Sequence, residues 1–186
     1  MEYKVIIVSF SSRNHGNCEA ITDQIYEHFY KQTNVLVYKF SDLEIKPCGK
    51  CSYQCFADNR ACPYIEDPEY ALLDALCRSD MAYFIVPNYC DYPCANFFIF
   101  NERSQCYFQN HPQRLDRYLR VPKKFIAVSG SRTADFKEVF CQHTAEEPQI
   151  LYLPAKAYEK QSIAGDILSS ERAKADLFAF LEKKSL

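Results

Sequence analysis

Near its start the chain reads Tyr3-Lys-Val-Ile-Ile-Val-Ser-Phe-Ser-Ser-Arg-Asn-His-Gly-Asn-Cys18. Residues 3–10 form an apolar, β-branched run, which is typical of a buried strand. Residues 11–17 are small and polar, and residues 18–31 carry apolar side chains at helical spacing. The stretch therefore predicts a strand, a short loop and a helix. Because the start of a helix offers free backbone N–H groups and the positive end of its dipole, we expect this loop to bind an anion, with phosphate as the first hypothesis.

The rest of the chain alternates between predicted strands and predicted helices. Strands are predicted at residues 34–40, 81–86, 124–129 and 149–154, and helices at 68–78, 95–107, 134–146 and 169–184. Ser169 or Ser170 is the expected N-cap of the last helix. Residues 110–122 are interpreted as a linker. Five alternating strands predict a doubly wound, five-stranded parallel sheet with helices on both faces, in a single domain over residues 1–186.

Charge and length exclude several classes of partner. The 22 basic and 24 acidic residues give a formal net charge of −2, so no basic excess points to nucleic acid or to a membrane surface. The first apolar run is too short to span a bilayer and is not followed by a signal-peptide cleavage pattern. We therefore expect a cytoplasmic protein.

Three predicted loops follow strands whose carboxyl ends lie at one edge of the sheet. They are residues 11–17, the segment Pro87-Asn-Tyr-Cys-Asp-Tyr-Pro93, and the segment Ser129-Gly-Ser-Arg132. In a doubly wound sheet such loops together form the ligand crevice. The first loop suits phosphate, the second suits a flat ring because it brackets two tyrosines with prolines, and the glycine of the third permits close backbone approach.

At these loops the sequence resembles the flavodoxin-like NAD(P)H-dependent FMN reductases and iron–sulfur flavoproteins. The first loop is similar to the family's phosphate loop, in which Ser11, Arg13, Gly16 and Asn17 match and Cys18 stands in place of a threonine.

The second loop is similar to the family's flavin loop and continues into the following helix. The matching residues are Pro87, Tyr89, Ala95, Phe100 and Arg103. Asp91 replaces a glycine of the family's pattern, Phe98 replaces a lysine, and Glu102 stands for an aspartate.

The resemblance implies FMN bound non-covalently, with the flavin rather than a catalytic side chain carrying the chemistry. The implied activity is electron transfer from NAD(P)H to a small acceptor such as a flavin or a quinone. The resemblance also implies a homodimer, for which the aromatic run at residues 97–100 is our candidate contact. The implied cofactor-binding residues are Ser11, Arg13, Gly16, Asn17, Cys18, Pro87, Asn88, Tyr89, Cys90, Asp91, Tyr92, Ser129 and Gly130.

A cysteine-rich segment at about residues 42–66 is predicted to be an irregular loop. Its candidate metal ligands are Cys48, Cys51, Cys55 and Cys62, and a proline follows the last of them. Four thiolates can hold a [4Fe–4S] cluster or a zinc ion, and they can equally remain unligated. The extra residue before Cys55 departs from the usual spacing of iron–sulfur flavoproteins, so the three outcomes stay open. Three further cysteines, Cys77, Cys106 and Cys141, fall on predicted helices and are expected to be small buried groups.

Two other functions remain open from the sequence. One is a non-enzymatic electron carrier that uses FMN, with or without a cluster, and exchanges electrons with protein partners. The other is a cofactor-free or zinc-bound interaction module. Rapid flavin reduction by NAD(P)H favours the enzyme, whereas a colourless protein that takes up no FMN favours the module.

Overall fold

A computed structural model describes residues 3–49, 51–58, 62–131 and 135–183. Its strands are β1 (Lys4–Ser9), β2 (Asn34–Lys39), β3 (Met81–Tyr89), β4 (Tyr92–Pro93), β5 (Lys123–Ser129) and β6 (Gln149–Pro154). Five of them pair in parallel in the order β2-β1-β3-β5-β6, and β4 pairs antiparallel with the end of β3. With β4 set aside, this is the flavodoxin strand order, so the predicted fold class is confirmed.

Helices cover both faces of this sheet. They are α1 (Asn17–Phe29), α2 (Pro68–Cys77), α3 (Ala95–Phe108), α4 (Pro112–Arg120), α5 (Lys137–Cys141) and α6 (Glu171–Glu182). Helices α1 and α6 pack with Val5 and Ile7 on one face. Ile6 and Val8 face the opposite way, into the core that contains residues of α2, α3, α4 and α5. Successive β1 side chains are thus buried on opposite faces, which explains why the strand is a continuous apolar run.

The expected loop at residues 87–93 is wrong, because the structure has a short β-hairpin there. Strand β3 continues to Tyr89, and Asn88 and Tyr89 pair with Pro93 and Tyr92 of β4. The two turn residues, Cys90 and Asp91, have φ angles of 53° and 65°. Two successive left-handed residues are the requirement of a tight hairpin turn, and aspartate tolerates that conformation better than most side chains do.

Two helices differ from their predictions. The expected linker at 110–122 contains α4, which begins with Pro112 in its first turn and buries mainly Tyr118. Leu115, Tyr118 and Leu119 have the spacing of one helix face, but they are few among polar and charged neighbours. Helix α5 is much shorter than the predicted 134–146, because the chain turns after Cys141 and the N–H of Ala145 donates to the Leu119 carbonyl at 3.0 Å.

The closing helix matches its prediction closely. Ser170 is its N-cap and accepts a hydrogen bond from the N–H of Ala173 at 3.5 Å. Within the described parts of the chain, no helix is both long enough and apolar enough to cross a membrane.

Candidate functional site

The β1–α1 loop, residues 11–16, is a tight turn held by its own serine. Ser11 Oγ accepts from the N–H of Arg13 at 3.0 Å and donates to the Arg13 carbonyl at 3.3 Å. Asn96, at the start of α3, donates to the Phe10 carbonyl and to Ser12 Oγ, both at 2.9 Å. These bonds fix the loop at the amino end of α1, where the helix leaves N–H groups without intrahelical acceptors.

The polar side chains of this loop also meet a distant segment. Residues 159–166, which we call the strap, lie in the connection from β6 to α6 and contain one 3₁₀ turn, Ser162–Ala164. Asn17 Nδ2 donates to the Ser162 carbonyl at 3.1 Å, and Asn17 Oδ1 accepts from the N–H of Ile167 at 2.9 Å. Arg13 Nη2 donates to the Ile163 carbonyl at 3.1 Å. The predicted phosphate ligands Arg13 and Asn17 therefore also anchor the strap.

The charges at this loop suit an anion. Arg13 lies at the loop surface, next to the positive end of the α1 dipole. The acid in the first turn, Glu19, pairs with Lys39 at 3.0 Å, and that hydrogen bond is the main cause of its lowered pKa. Because Lys39 neutralises Glu19, its carboxylate does little to oppose a bound anion.

Two buried thiols lie beneath the loop. Burial is the main reason that the pKa of Cys18 rises to about 12, and the neighbouring Cys94 raises it further. Burial likewise raises the pKa of Cys94 to about 11, and its Sγ donates to the Phe10 carbonyl at 3.2 Å. Both thiols are therefore uncharged at neutral pH and do not repel an anion.

The β3–β4 hairpin presents aromatic rings at the same edge of the sheet. Pro87 is buried, whereas Tyr89 is 53% exposed and Tyr92 is 68% exposed. Cys90 and Asp91 form the exposed turn. The rigid hairpin thus holds a polar tip beside the β1–α1 loop.

The third loop follows β5 and is supported by the turn that follows β6. The N–H of Lys156 donates to the Gly130 carbonyl at 2.9 Å. A Cβ on Gly130 would lie 3.2 Å from Ser162 Oγ, so glycine leaves room for that hydroxyl. Ser129 is buried beside it, while Arg132 of the predicted loop lies outside the described residues.

Two neighbouring cavities, both open to solvent, lie among these three loops. The inner one, of about 100 Å³, is lined by Ser11, Arg13, Gly16, Asn17, Cys18, Pro87, Asn88, Tyr89, Val128, Ser129, Gly130 and Ser162. The outer one, of about 240 Å³, is lined by Asn88, Cys90, Asp91, Ser129, Gly130 and Ser131. The two share Asn88, Ser129 and Gly130. Of the predicted cofactor-binding residues, Tyr92 alone lines neither cavity.

Sequence reasoning missed Ser162, which lines the inner cavity from a segment 145 residues away from Asn17. The available signal was Gly165, a glycine in the segment that follows the last strand. Loops after parallel strands meet at one edge of the sheet, so Gly165, like Gly130, indicates close backbone approach at that edge.

A more voluminous groove, of about 580 Å³, lies along α3 and α4 and includes Tyr118 and His143. It contains none of the predicted site residues. Volume alone would favour this groove, but the polar residues and the helix N-terminus that suit an anion converge on the smaller pair of cavities.

The cysteine-rich segment forms a thiol cluster that differs from the predicted set. Cys55, Cys62 and Cys106 are buried together, and Cys48 packs against them. Cys55 Sγ and Cys106 Sγ lie 3.5 Å apart. Among the described residues, no group of three or more histidine, cysteine or acidic side chains is placed to hold a metal ion. The candidate ligands Cys48, Cys51, Cys55 and Cys62 therefore do not fit a cluster as they stand here.

A buried arginine attaches this segment to the domain core. Arg103 of α3 donates to the Lys46 carbonyl at 2.6 Å and to Asp67 Oδ2 at 3.0 Å. Its Nε lies 3.6 Å from Glu69 Oε2. Burial raises the pKa of Glu69 to about 9, although Arg103 opposes the rise. Glu69 is thus protonated at neutral pH, and Asp67 balances the charge of Arg103.

The aromatic run at residues 97–100 is mostly unavailable for a subunit contact, which corrects that prediction. Phe97 and Phe100 are fully buried in the core of their own chain, where both pack edge-on against Phe10. Phe98 is the exposed aromatic ring of the run. A helix places residues three apart on one face, so the sequence run is divided between core and surface.

No protein-family model matches the chain, and no curated protein matches it by sequence. Solved structures do match. The Trp repressor binding protein of Bacillus subtilis superposes with a TM-score of 0.64 at 12% identity, covering 97% of this chain and 99% of that one. An FMN-dependent NADH-azoreductase of Bacillus anthracis in complex with FMN gives 0.62 at 11%, covering 96% and 98%.

A third match is FerB, a flavoenzyme NAD(P)H:(acceptor) oxidoreductase of Paracoccus denitrificans, with a TM-score of 0.56 at 15% identity over 97% of this chain and 96% of that one. Identities this low show the fold alone. The structural neighbours of this chain are flavodoxin-like reductases and related proteins, and the chain itself has the flavodoxin-like fold.

Proposed function

We propose that this chain binds FMN and acts as an oxidoreductase that transfers electrons from NAD(P)H to a small acceptor such as a flavin or a quinone. The observation that carries the proposal is the pair of adjoining cavities at the carboxyl edge of the sheet. The inner cavity lies at the amino end of a helix, and the outer one opens beside the β3–β4 hairpin. Their combined volume falls within the usual range for a cofactor site.

The inner cavity would hold the FMN phosphate. Ser11, Gly16 and Asn17 line it, and Arg13 supplies a full positive charge. Arginine has five N–H donors, and one of them is used on the strap, so others remain for phosphate oxygens. The uncharged Cys18 thiol would be a weak donor in the position of the family's threonine.

The outer cavity would hold the flavin ring. Asn88 and the hairpin turn form one side of it, and the backbone at Gly130 and Ser131 forms the other. Tyr89 stands at the junction, where its ring is available to pack on a flat ligand. Bound FMN would supply the electron-accepting and electron-donating chemistry. The chain would supply binding, orientation and charge, and we assign it no catalytic side chain.

Metal content and oligomeric state are each tested by a direct measurement. The [4Fe–4S] cluster is not included in the proposal, because the described thiols do not fit it, and iron and zinc analysis of anaerobically purified protein tests for both metals.

We propose that the chain forms a homodimer, in which exposed aromatic rings such as Tyr92 and Phe98 would be covered. Light scattering measures the mass directly.

The activity is tested by mixing FMN-loaded protein with NADH or NADPH without oxygen and following the visible flavin absorbance. We expect at least one nicotinamide to bleach the flavin and an added quinone to restore it. Bleaching by dithionite but by neither nicotinamide would contradict the enzyme and support the electron carrier. Failure to retain or take up FMN would contradict both and leave the interaction module.

A further inference from the structure

The buried thiol cluster contains a pair of sulfur atoms in direct contact. Cys55 Sγ and Cys106 Sγ lie 3.5 Å apart, and both side chains are buried. Cys62 and the partly buried Cys48 pack around them. The two partners are 51 residues apart in the chain, so the fold and not the local sequence brings them together.

The two thiols belong to different parts of the structure. Cys106 lies on α3, which packs into the core, whereas Cys55 is the buried residue of a 3₁₀ turn, Gln54–Phe56, in the cysteine-rich segment. The neighbouring aromatic side chains contribute less burial, since Tyr53 is 70% exposed and Phe56 is 50% exposed. Cys55 therefore provides the buried contact between this turn and α3.

Hydrogen bonds already hold the segment on α3 around this contact. Arg103 of α3 donates to the Lys46 carbonyl at 2.6 Å and to the Tyr64 carbonyl at 3.3 Å, on either side of the turn. Asn110 Nδ2 donates to the Phe56 carbonyl at 3.1 Å. A covalent bond between the two sulfurs would thus join elements that already lie against each other.

The surroundings of the pair leave it the chemistry of two thiols. Among the described side chains, no group of three or more is placed around it to hold a metal ion. Burial and the hydrogen bond with Cys55 both raise the pKa of Cys106. A protonated thiol is a poor nucleophile, so Cys55 is the partner that an oxidant would attack first.

We propose that Cys55 and Cys106 are a redox-active dithiol that hydrogen peroxide converts to a disulfide. The peroxide oxidises the Cys55 thiol to a sulfenic acid, its O–O bond breaks, and one water leaves. The Cys106 sulfur then attacks the Cys55 sulfur, the S–O bond breaks, and the hydroxyl group leaves with the Cys106 proton as a second water. The two thiols lose two electrons and two protons, and one peroxide accepts them.

The disulfide would fasten the turn of the cysteine-rich segment to α3, and an excess of a dithiol reductant would reverse it. This role requires no bound flavin, so it stands or falls separately from the proposed oxidoreductase activity.

The first test needs no variant. The unmodified protein is treated with a small excess of hydrogen peroxide, its remaining thiols are alkylated, and its peptides are mapped by mass spectrometry. We expect a linked peptide pair that contains Cys55 and Cys106 in most of the monomeric protein. Dithiothreitol should return both residues to alkylatable thiols.

The second test measures what the bond does to the turn. Chymotrypsin cuts after aromatic residues in segments that open locally, so the exposed Tyr53 and Phe56 are its expected sites. Oxidation should slow cleavage at these two sites at least fivefold. In Cys106→Ser the oxidised and reduced proteins should be cut at the same rate. Cys141→Ser is the matched control, because it removes an exposed thiol on α5, and it should keep the fivefold difference.

Several results would overturn the proposal. They are a disulfide between any other pair of cysteines, a peroxide-treated protein in which both thiols remain free, and cleavage at the turn that oxidation does not slow. Stoichiometric iron or zinc that is lost in Cys106→Ser would also overturn it, because the thiols would then be metal ligands. If Cys106→Ser does not fold, the peptide map of the unmodified protein decides alone.

Discussion

Replacing Arg13 with alanine should weaken the binding of FMN and leave riboflavin binding nearly unchanged. Arg13 supplies the positive charge among the side chains that line the inner cavity. Riboflavin has the same ring system as FMN but no phosphate. The substitution therefore separates recognition of the phosphate from recognition of the ring.

The size of the effect follows from the exposure of Arg13. A hydrogen bond to a charged group contributes about 1.5–3 kcal/mol. Because the Arg13 side chain is exposed and solvent screens it, we reduce this to about 1–2 kcal/mol. At about 1.4 kcal/mol per tenfold change, the FMN dissociation constant should rise about 5- to 30-fold. The effect should shrink as the salt concentration rises.

The assay is quenching of flavin fluorescence at equilibrium, with each ligand titrated at low and moderate salt. Arg120→Ala is the matched control, since Arg120 is an exposed arginine on α4 that pairs with Asp116 and lines neither cavity. Its FMN affinity should equal that of the unmodified protein. An Arg13→Ala protein that binds FMN normally, or that loses FMN and riboflavin affinity equally, would refute the assignment of the phosphate to this loop.

Three further substitutions test buried polar groups of the fold by chemical denaturation. The pKa of Glu69 is raised from 4.5 to about 9, so the free energy of unfolding falls as the pH rises between these two values. In Glu69→Gln the free energy of unfolding should fall less steeply with pH, by up to about 1.4 kcal/mol per pH unit. An equally steep fall in the variant would contradict a buried, protonated Glu69. Burial lowers the pKa of His143 from 6.5 to about 3. The stability that the neutral, buried imidazole contributes is therefore complete above pH 6.5 and is lost as the pH falls toward 3. In His143→Phe the free energy of unfolding should fall less steeply as the pH drops below 6.5, and an unchanged fall would show that His143 is not the group responsible. Asn17→Ala leaves the buried N–H of Ile167 without its acceptor and should cost about 1–3 kcal/mol, whereas the exposed Asn14→Ala should cost almost nothing; equal costs would contradict the anchoring of the strap by Asn17.

The sequence was sufficient for the sheet because its central strands each contain a continuous apolar run. β1, β3 and β5 are buried on both faces, so burial fixes their extent without help from turn chemistry. Helix α4 was missed for the opposite reason, since Leu115, Tyr118 and Leu119 are few apolar residues among charged ones, and of the three Tyr118 alone is buried. The hairpin at Cys90 and Asp91 was missed because its turn lacks the glycine that usually marks one.

The candidate site could be predicted only where its residues are local in sequence. The β1–α1 loop and the hairpin are continuous segments, so residues such as Ser11 and Asn88 were predictable from motif and position. Ser162 reaches the cavity through a tertiary contact that spans the length of the chain. The thiol cluster shows the same limit, because Cys106 joins it from α3 rather than from the cysteine-rich segment.

The most direct measurement is an equilibrium titration of the unmodified, flavin-free protein with FMN. We predict saturable binding of one FMN per chain, with riboflavin bound at least tenfold more weakly because it lacks the phosphate that the inner cavity receives. Absence of FMN binding, or equal affinity for FMN and riboflavin, would contradict the central claim that this edge of the sheet is a flavin mononucleotide site.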